Sequence, residues 1–381
     1  MIIRSKILDR MKKADSKDKR LLRNTGLTLL VKGGALLVSF LTIPAYLRFF
    51  QNHAVLGLWF TALSMLSWVL TFDLGVGNGL RNHIVQPLLN GDVEKIRKYV
   101  SSAYIMIGAI VLIASSLGYV LFQYVRWNVV FNISSQIVSP SALLAVVRLL
   151  FAGIMVQFFL RLLNSILLAM QKPAIPDFLA LVSSTLLLLF VLLGGTGDTA
   201  TKLRMLSIAF VVTANLPILV ATVLLFLTSL RDCAPSLKHF SKPYAKDIIA
   251  LGGTFFWLQI MFMLVANTNE FLITWFIGTA EVVDYKIYNV LFGLIGTLFF
   301  LAIKPVWSEV TEASTRREYP WIKRLYSRLS MMALFATGAE FALVFFSQPV
   351  VNIWLKKKQL LSTSVMPSFS PYRGPFSCGM L

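Results

Sequence analysis

Residues 25–50 read TGLTLLVKGGALLVSFLTIPAYLRFF, and how this stretch is read decides the fold class. Nine Lys and Arg precede it within residues 1–24. Basic residues before an apolar run suggest a cleavable leader, but a leader's apolar core spans only about 7–15 residues. This run is longer and carries Lys32 inside it, so it reads as a permanent membrane-spanning helix. Crossing a bilayer takes roughly 20 mostly apolar residues. Eight more segments qualify, near 54–74, 99–125, 142–169, 178–195, 204–228, 248–276, 286–306 and 325–347. Nothing shows the roughly 10-residue alternation of a membrane β-barrel. The expectation is an all-α polytopic membrane protein of about nine transmembrane helices.

Composition agrees. Hydrophobic residues make up 57% of the 381-residue chain and charged residues 14%, against about 45–50% and 25% in soluble domains. Mean hydropathy is +0.73. These values exclude a soluble enzyme and a disordered chain. The 36 Lys+Arg against 17 Asp+Glu give a net charge of +19. In a membrane protein such an excess is chiefly an orientation signal, so no nucleic-acid partner is expected. The basic clusters fall on alternate loops: residues 1–24, then Arg81 to Lys98, then Arg231 to Lys246, then Arg316 to Arg324. This places the N-terminus in the cytoplasm.

Little suggests bond-making chemistry. Cys233 and Cys378 form no framework, and His53, His83 and His239 are scattered. There is no catalytic triad pattern and no phosphate-loop motif before a helix. No metal or cofactor is expected.

Polar residues within spans are costly and call for a role. On the first helix Thr25, Thr28, Lys32, Ser39 and Tyr46 share one face, with Arg48 near the far end. On the fourth, Gln157, Arg161, Asn164 and Gln171 form a second stripe, with Arg148 on another face. Lys32, Gln157, Arg161 and Asn164, and less securely Arg48 and Arg148, are candidate lining of a watery cavity. On the seventh helix Gln259, Asn267 and Glu270 recur at helical spacing. Glu270 either pairs with a cation such as Lys32 or Arg161, or takes up a proton or Na⁺. Glu340 is as ambiguous. Asp73 precedes a run of alternate glycines ending at Arg81, which reads as a flexible break at the cytoplasmic surface. Pro44, Pro217 and Pro305 would kink their helices.

Several motifs carry a family resemblance. They are Ile43-Pro44-Ala45-Tyr46-Leu47, then Leu56-Gly57-Leu58-Trp59, then Phe72-Asp73-Leu74-Gly75-Val76-Gly77-Asn78-Gly79-Leu80-Arg81-Asn82. Lys304-Pro305-Val306-Trp307-Ser308 follows, before a charged stretch from Glu309 to Trp321. Over about residues 20–355 the chain resembles the polysaccharide exporters and O-antigen flippases of the multidrug/oligosaccharidyl-lipid/polysaccharide exporter superfamily. The resemblance implies two helical lobes around a cavity in the bacterial inner membrane. The substrate it implies is a polyprenyl-pyrophosphate-linked oligosaccharide, moved from cytoplasmic to periplasmic leaflet by alternating access. It also implies an ion gradient as the driving force, membrane lipids as surroundings, and polysaccharide polymerase and chain-length machinery as partners. Basic residues such as Lys32 and Arg161 would hold the pyrophosphate. Glu270, Asn267 and Asp73 would serve coupling or as counter-charge.

The expected organisation is a basic segment at 1–24, a first lobe of six helices at 25–229, a linker at 230–247 and a partial second lobe at 248–355. A Ser- and Pro-rich tail of non-membrane character occupies 356–381. Such exporters usually have twelve or more spans, so the second lobe reads as incomplete and activity as impaired. The alternatives are a cation- or proton-coupled multidrug antiporter of the same superfamily, a membrane-embedded O-unit polymerase, and a non-functional remnant of an exporter.

Overall fold

The computed structural model describes residues 30–71, 75–194, 197–266, 268–303 and 319–355, and no strand occurs among them. The first helix, α1, is Leu30–Phe50. It is followed by α2 (His53–Thr71), α3 (Val76–Asn90), α4 (Val93–Leu121), α5 (Pro140–Leu160), α6 (Leu162–Ala169), α7 (Ala174–Leu193) and α8 (Thr199–Leu227). Then come α9 (Lys242–Ala266), α10 (Asn269–Phe276), α11 (Thr279–Ile303) and α12 (Tyr319–Leu355).

Helix starts follow from short polar side chains that accept orphan backbone N–H groups. Asp92 accepts from the Lys95 amide at 3.1 Å and opens α4. Ser139 accepts from the Ala142 amide at 3.4 Å, with Pro140 in the first turn of α5. Asp198 accepts from the Thr201 amide at 3.3 Å and opens α8. Gly91 closes α3 in the left-handed region, at φ 69.

Among the described residues eight stretches are long and apolar enough to cross a membrane. The sequence reading expected nine. The ninth expected segment, at 248–276, is occupied by α9 and α10, with an interruption between them. At the interruption the Thr268 hydroxyl donates to the Met263 carbonyl at 3.4 Å, a local bond of the kind that competes with the helix ladder. The fourth span is also divided. The segment at 142–169 is α5 and α6, joined at Arg161. The third span starts at Val93 rather than at 99.

A second correction concerns the glycine run ending at Arg81. Read as a flexible break, it is helical from Val76 on and opens α3, in which Val76, Gly77, Gly79, Leu80, Ile84 and Pro87 are buried. Leu80 and Ile84 share an apolar core with Val100 and Ile107 of α4 and with Leu163 and Ile166 of α6. Gly79 lets the Ile248 carbonyl of α9 sit where a Cβ would be. Pro44 and Pro217 lie inside helices that continue through them, and Pro305 lies outside the described residues.

The chain divides into two compact units, Met1–Val38 with Ala45–Val283, and Ser39–Pro44 with Asp284–Leu381. The first contains residues expected in both lobes. Within it the linker is strapped to α4. The Ser236 and Ser241 amides donate to the Ser101 and Ser102 hydroxyls, both at 3.1 Å. His83 lies 3.2 Å from the Asp247 carbonyl and stacks on Tyr99. In the second unit Trp354 stacks on Phe40 and donates to its carbonyl at 3.1 Å. There the Tyr288 hydroxyl donates to Gln348 at 3.0 Å.

Candidate functional site: a mixed cleft and a buried carboxyl

The stripe on the fourth span is placed by the division at Arg161. Arg161 both ends α5 and begins α6, and its own carbonyl accepts from the Asn164 amide at 2.9 Å. The tighter turn leaves Arg161 exposed and aims it with Asn164 and Ser165 into a cleft of about 170 Å³. Leu70, Ile107 and Phe158 form the apolar walls, and Gly77 lines one edge. The Asn164 Oδ1 is buried without a hydrogen-bond partner. The cleft thus offers one cation, one hydroxyl and one unused acceptor against an oily wall. That combination suits an amphipathic molecule with a polar end. Arg161 and Asn164 come together here, whereas Gln157 is half-buried and does not line the cleft.

Two of the other candidate cations, Lys32 and Arg148, have partners of their own. Lys32 lies 3.7 Å from Asp177, in the first turn of α7. Arg148 donates from Nη2 to the Tyr119 carbonyl at 3.0 Å and stacks over that ring at 4.6 Å. It fastens α5 to α4. Arg48 is exposed on α1. Asp73 and Asn267 lie outside the described residues, as do Thr25 and Thr28.

Glu270 is 5% exposed and accepts from the Ser64 hydroxyl of α2 at 3.2 Å. The sequence reading offered Lys32 or Arg161 as its partner; Lys32 is instead committed to Asp177. One turn on, the hydroxyls of Thr61 and Thr274 hydrogen-bond to each other, and both residues are fully buried. Thr61, Ser64 and Thr274 were missed. Gly57, Thr61, Ser64 and Trp68 recur at one-face spacing on α2, which is a readable signal. Their partners on α10 are not readable from spacing.

No family model matches the chain, and no curated protein matches it. Two solved structures do. One is the inward-facing conformation of a multidrug resistance MATE family transporter of the MOP superfamily. It is 14% identical over 85% of this chain and 73% of that one, with a TM-score of 0.59. The other is a MATE protein in complex with MaL6, 15% identical over 88% of this chain and 75% of that one, with a TM-score of 0.48. At that identity the first likeness establishes the fold: this is a multi-pass helical membrane protein built like that transporter.

Proposed function

We propose that the chain is an ion-coupled exporter of the bacterial inner membrane, working by alternating access with its N-terminus in the cytoplasm. Within that class the fold likeness favours a cation- or proton-coupled multidrug antiporter. The observation that carries this reading is Glu270, a carboxyl buried among membrane helices and bonded to the Ser64 hydroxyl. A carboxylate held from water is costly unless it is neutralised or paired. Exchange of a proton or cation there as the site becomes wet would couple ion entry to helix movement. Asn267 and Asp73, outside the described residues, are proposed to serve coupling or as counter-charge, and Arg161 and Asn164 to hold the polar end of the cargo.

A second reading, flipping of a polyprenyl-pyrophosphate-linked oligosaccharide, has its own support. The cleft is basic rather than acidic, with Arg161 beside Asn164 and Ser165. A guanidinium matches phosphate oxygens, and its attraction to an anion strengthens where the dielectric is low. Two assays on one set of strains separate the readings. Ethidium efflux in a pump-deficient bacterium, lost with Glu270→Gln, supports antiport. Restored surface polysaccharide in a flippase-deficient strain, lost with Arg161→Ala and without ethidium efflux, supports flipping. Neither activity at matched membrane expression rejects the exporter reading for this chain.

A further inference from the structure

Gly57, Thr61, Ser64 and Trp68 lie on one face of α2, and each meets a residue of the segment from α10 to the start of α11. Gly57 leaves room for the Thr279 carbonyl oxygen, which a Cβ at that position would overlap. Thr61 bonds to Thr274 and Ser64 to Glu270. Trp68 packs edge-on against Phe271, with centroids 5.4 Å apart. From Gly57–Thr279 through Thr61–Thr274 to Ser64–Glu270 the pairings run in opposite directions along the chain, as in antiparallel packing. A loop closes over the end of the seam, where the Asn132 side-chain amide donates to the Thr274 carbonyl at 3.1 Å.

This seam differs from the opposite end of the same stretch. Toward the linker, α9 is fastened by the strap's backbone amides on Ser101 and Ser102 and by the Gly79 crossing. At the seam the bonds run mostly between hydroxyls and a carboxyl. Water can take over such bonds when two helices part, so the polar groups are not left orphaned. The helical run is interrupted between Ala266 and Asn269, so α10 can turn without carrying α9 with it. With the N-terminus in the cytoplasm, the start of α2 and the end of α10 face outward.

We propose that the α2–α10 seam is the outer gate of the transport path, closed in this structure, with α10 as its moving leaf. The inference rests on the exporter reading and its orientation. The test uses the full chain carrying Cys233→Ser and Cys378→Ser. In intact cells, Thr61→Cys is treated with a membrane-impermeant maleimide, with and without Gly57→Ala. The expected result is slow labelling that rises several-fold when Gly57→Ala holds the helices apart. Equal labelling in the two chains overturns the gate. A second variant, Thr61→Cys with Thr274→Cys, guards against a folding defect in Gly57→Ala. Oxidation should link the pair and stop ethidium efflux, and reductant should restore it. Undiminished efflux from the linked chain also overturns the gate. Should the reduced pair move no ethidium, the antiporter reading fails by itself and the labelling ratio still decides the seam.

Discussion

Lys32 and Arg161 looked equivalent as cations within stripes, and their surroundings separate them. Lys32 faces Asp177 at 3.7 Å, with the two side chains 23% and 35% exposed. A pair that wet is worth at most about 1 kcal/mol. Lys32→Ala should therefore leave membrane insertion intact and export nearly unchanged. Arg161→Ala should abolish most export, because it removes the one cation among the described residues that line the cleft. Arg161→Lys should recover little of it, since an ammonium lacks the planar fork. Initial efflux rates at matched expression check all three; equal losses for Lys32→Ala and Arg161→Ala would return Lys32 to the cavity. Two helix caps carry a pH signature. The Lys95 amide holds the Asp92 carboxyl below its ordinary 3.8, and the Thr201 hydroxyl does the same for Asp198. A carboxyl depressed on folding stabilises the protein above its unfolded value and loses that contribution as pH falls through the lower, folded one. Thermal unfolding in detergent should therefore be flat from pH 7 to about 5 and weaken below about 4. Asp92→Asn and Asp198→Asn together should flatten part of that acid limb; an unchanged limb would discharge the caps.

At the scale of elements, α5 and α8 meet through a glycine and an amide. The Asn215 Nδ2 donates to the Gly153 carbonyl at 3.0 Å, and Gly153 lies against the Val211 side chain. Interhelical hydrogen bonds of this kind average about 0.6 kcal/mol in membranes and reach about 1.7. Asn215→Leu should lower the unfolding midpoint modestly in detergent. Gly153→Leu should lower it more, since overpacking typically costs about 1–3 kcal/mol. The reverse order would place the stability of this contact in the amide rather than in close approach. Why some elements were legible and others were not follows from the same physics. Long apolar helices announce themselves because lipid demands one length and one composition. The start of α3 did not, because Gly75, Gly77 and Gly79 suit a loop, and only contact with α4, α6 and α9 makes the segment a buried helix. The break at Arg161 was invisible, since Leu160-Arg161-Leu162 contains no helix breaker. The clustering of Arg161 with Asn164 was legible from their three-residue spacing. The pairing of Glu270 with Ser64 joins residues 206 apart and was not.

At the scale of the whole molecule, the decisive question is how many times the chain crosses. Among the described residues eight stretches meet the requirement outright, and α9 with α10 is the one whose crossing is open to test. α9 alone has 25 residues, roughly 37 Å at 1.5 Å per residue, against a hydrocarbon core of about 30 Å. Its side of the problem is set by charge. Arg231, Lys238, Lys242 and Lys246 lie before it, and Arg316, Arg317, Lys323 and Arg324 lie beyond α11. Both clusters can be cytoplasmic only if an even number of spans separates them. α11 supplies one, so α9 with α10 must supply the other. Reporter domains inserted near Ser236 and between Arg316 and Arg317 should both report the cytoplasm, while one near Ser135 should report the outside. A reporter between Arg316 and Arg317 that reads outside would show that the interrupted helix enters and leaves on one face. The outer position of α10, and the gate argued from it, would fall with that result. Concordant cytoplasmic signals would set the Gly57–Thr279 end of the seam at the outer surface, where release of cargo requires a door.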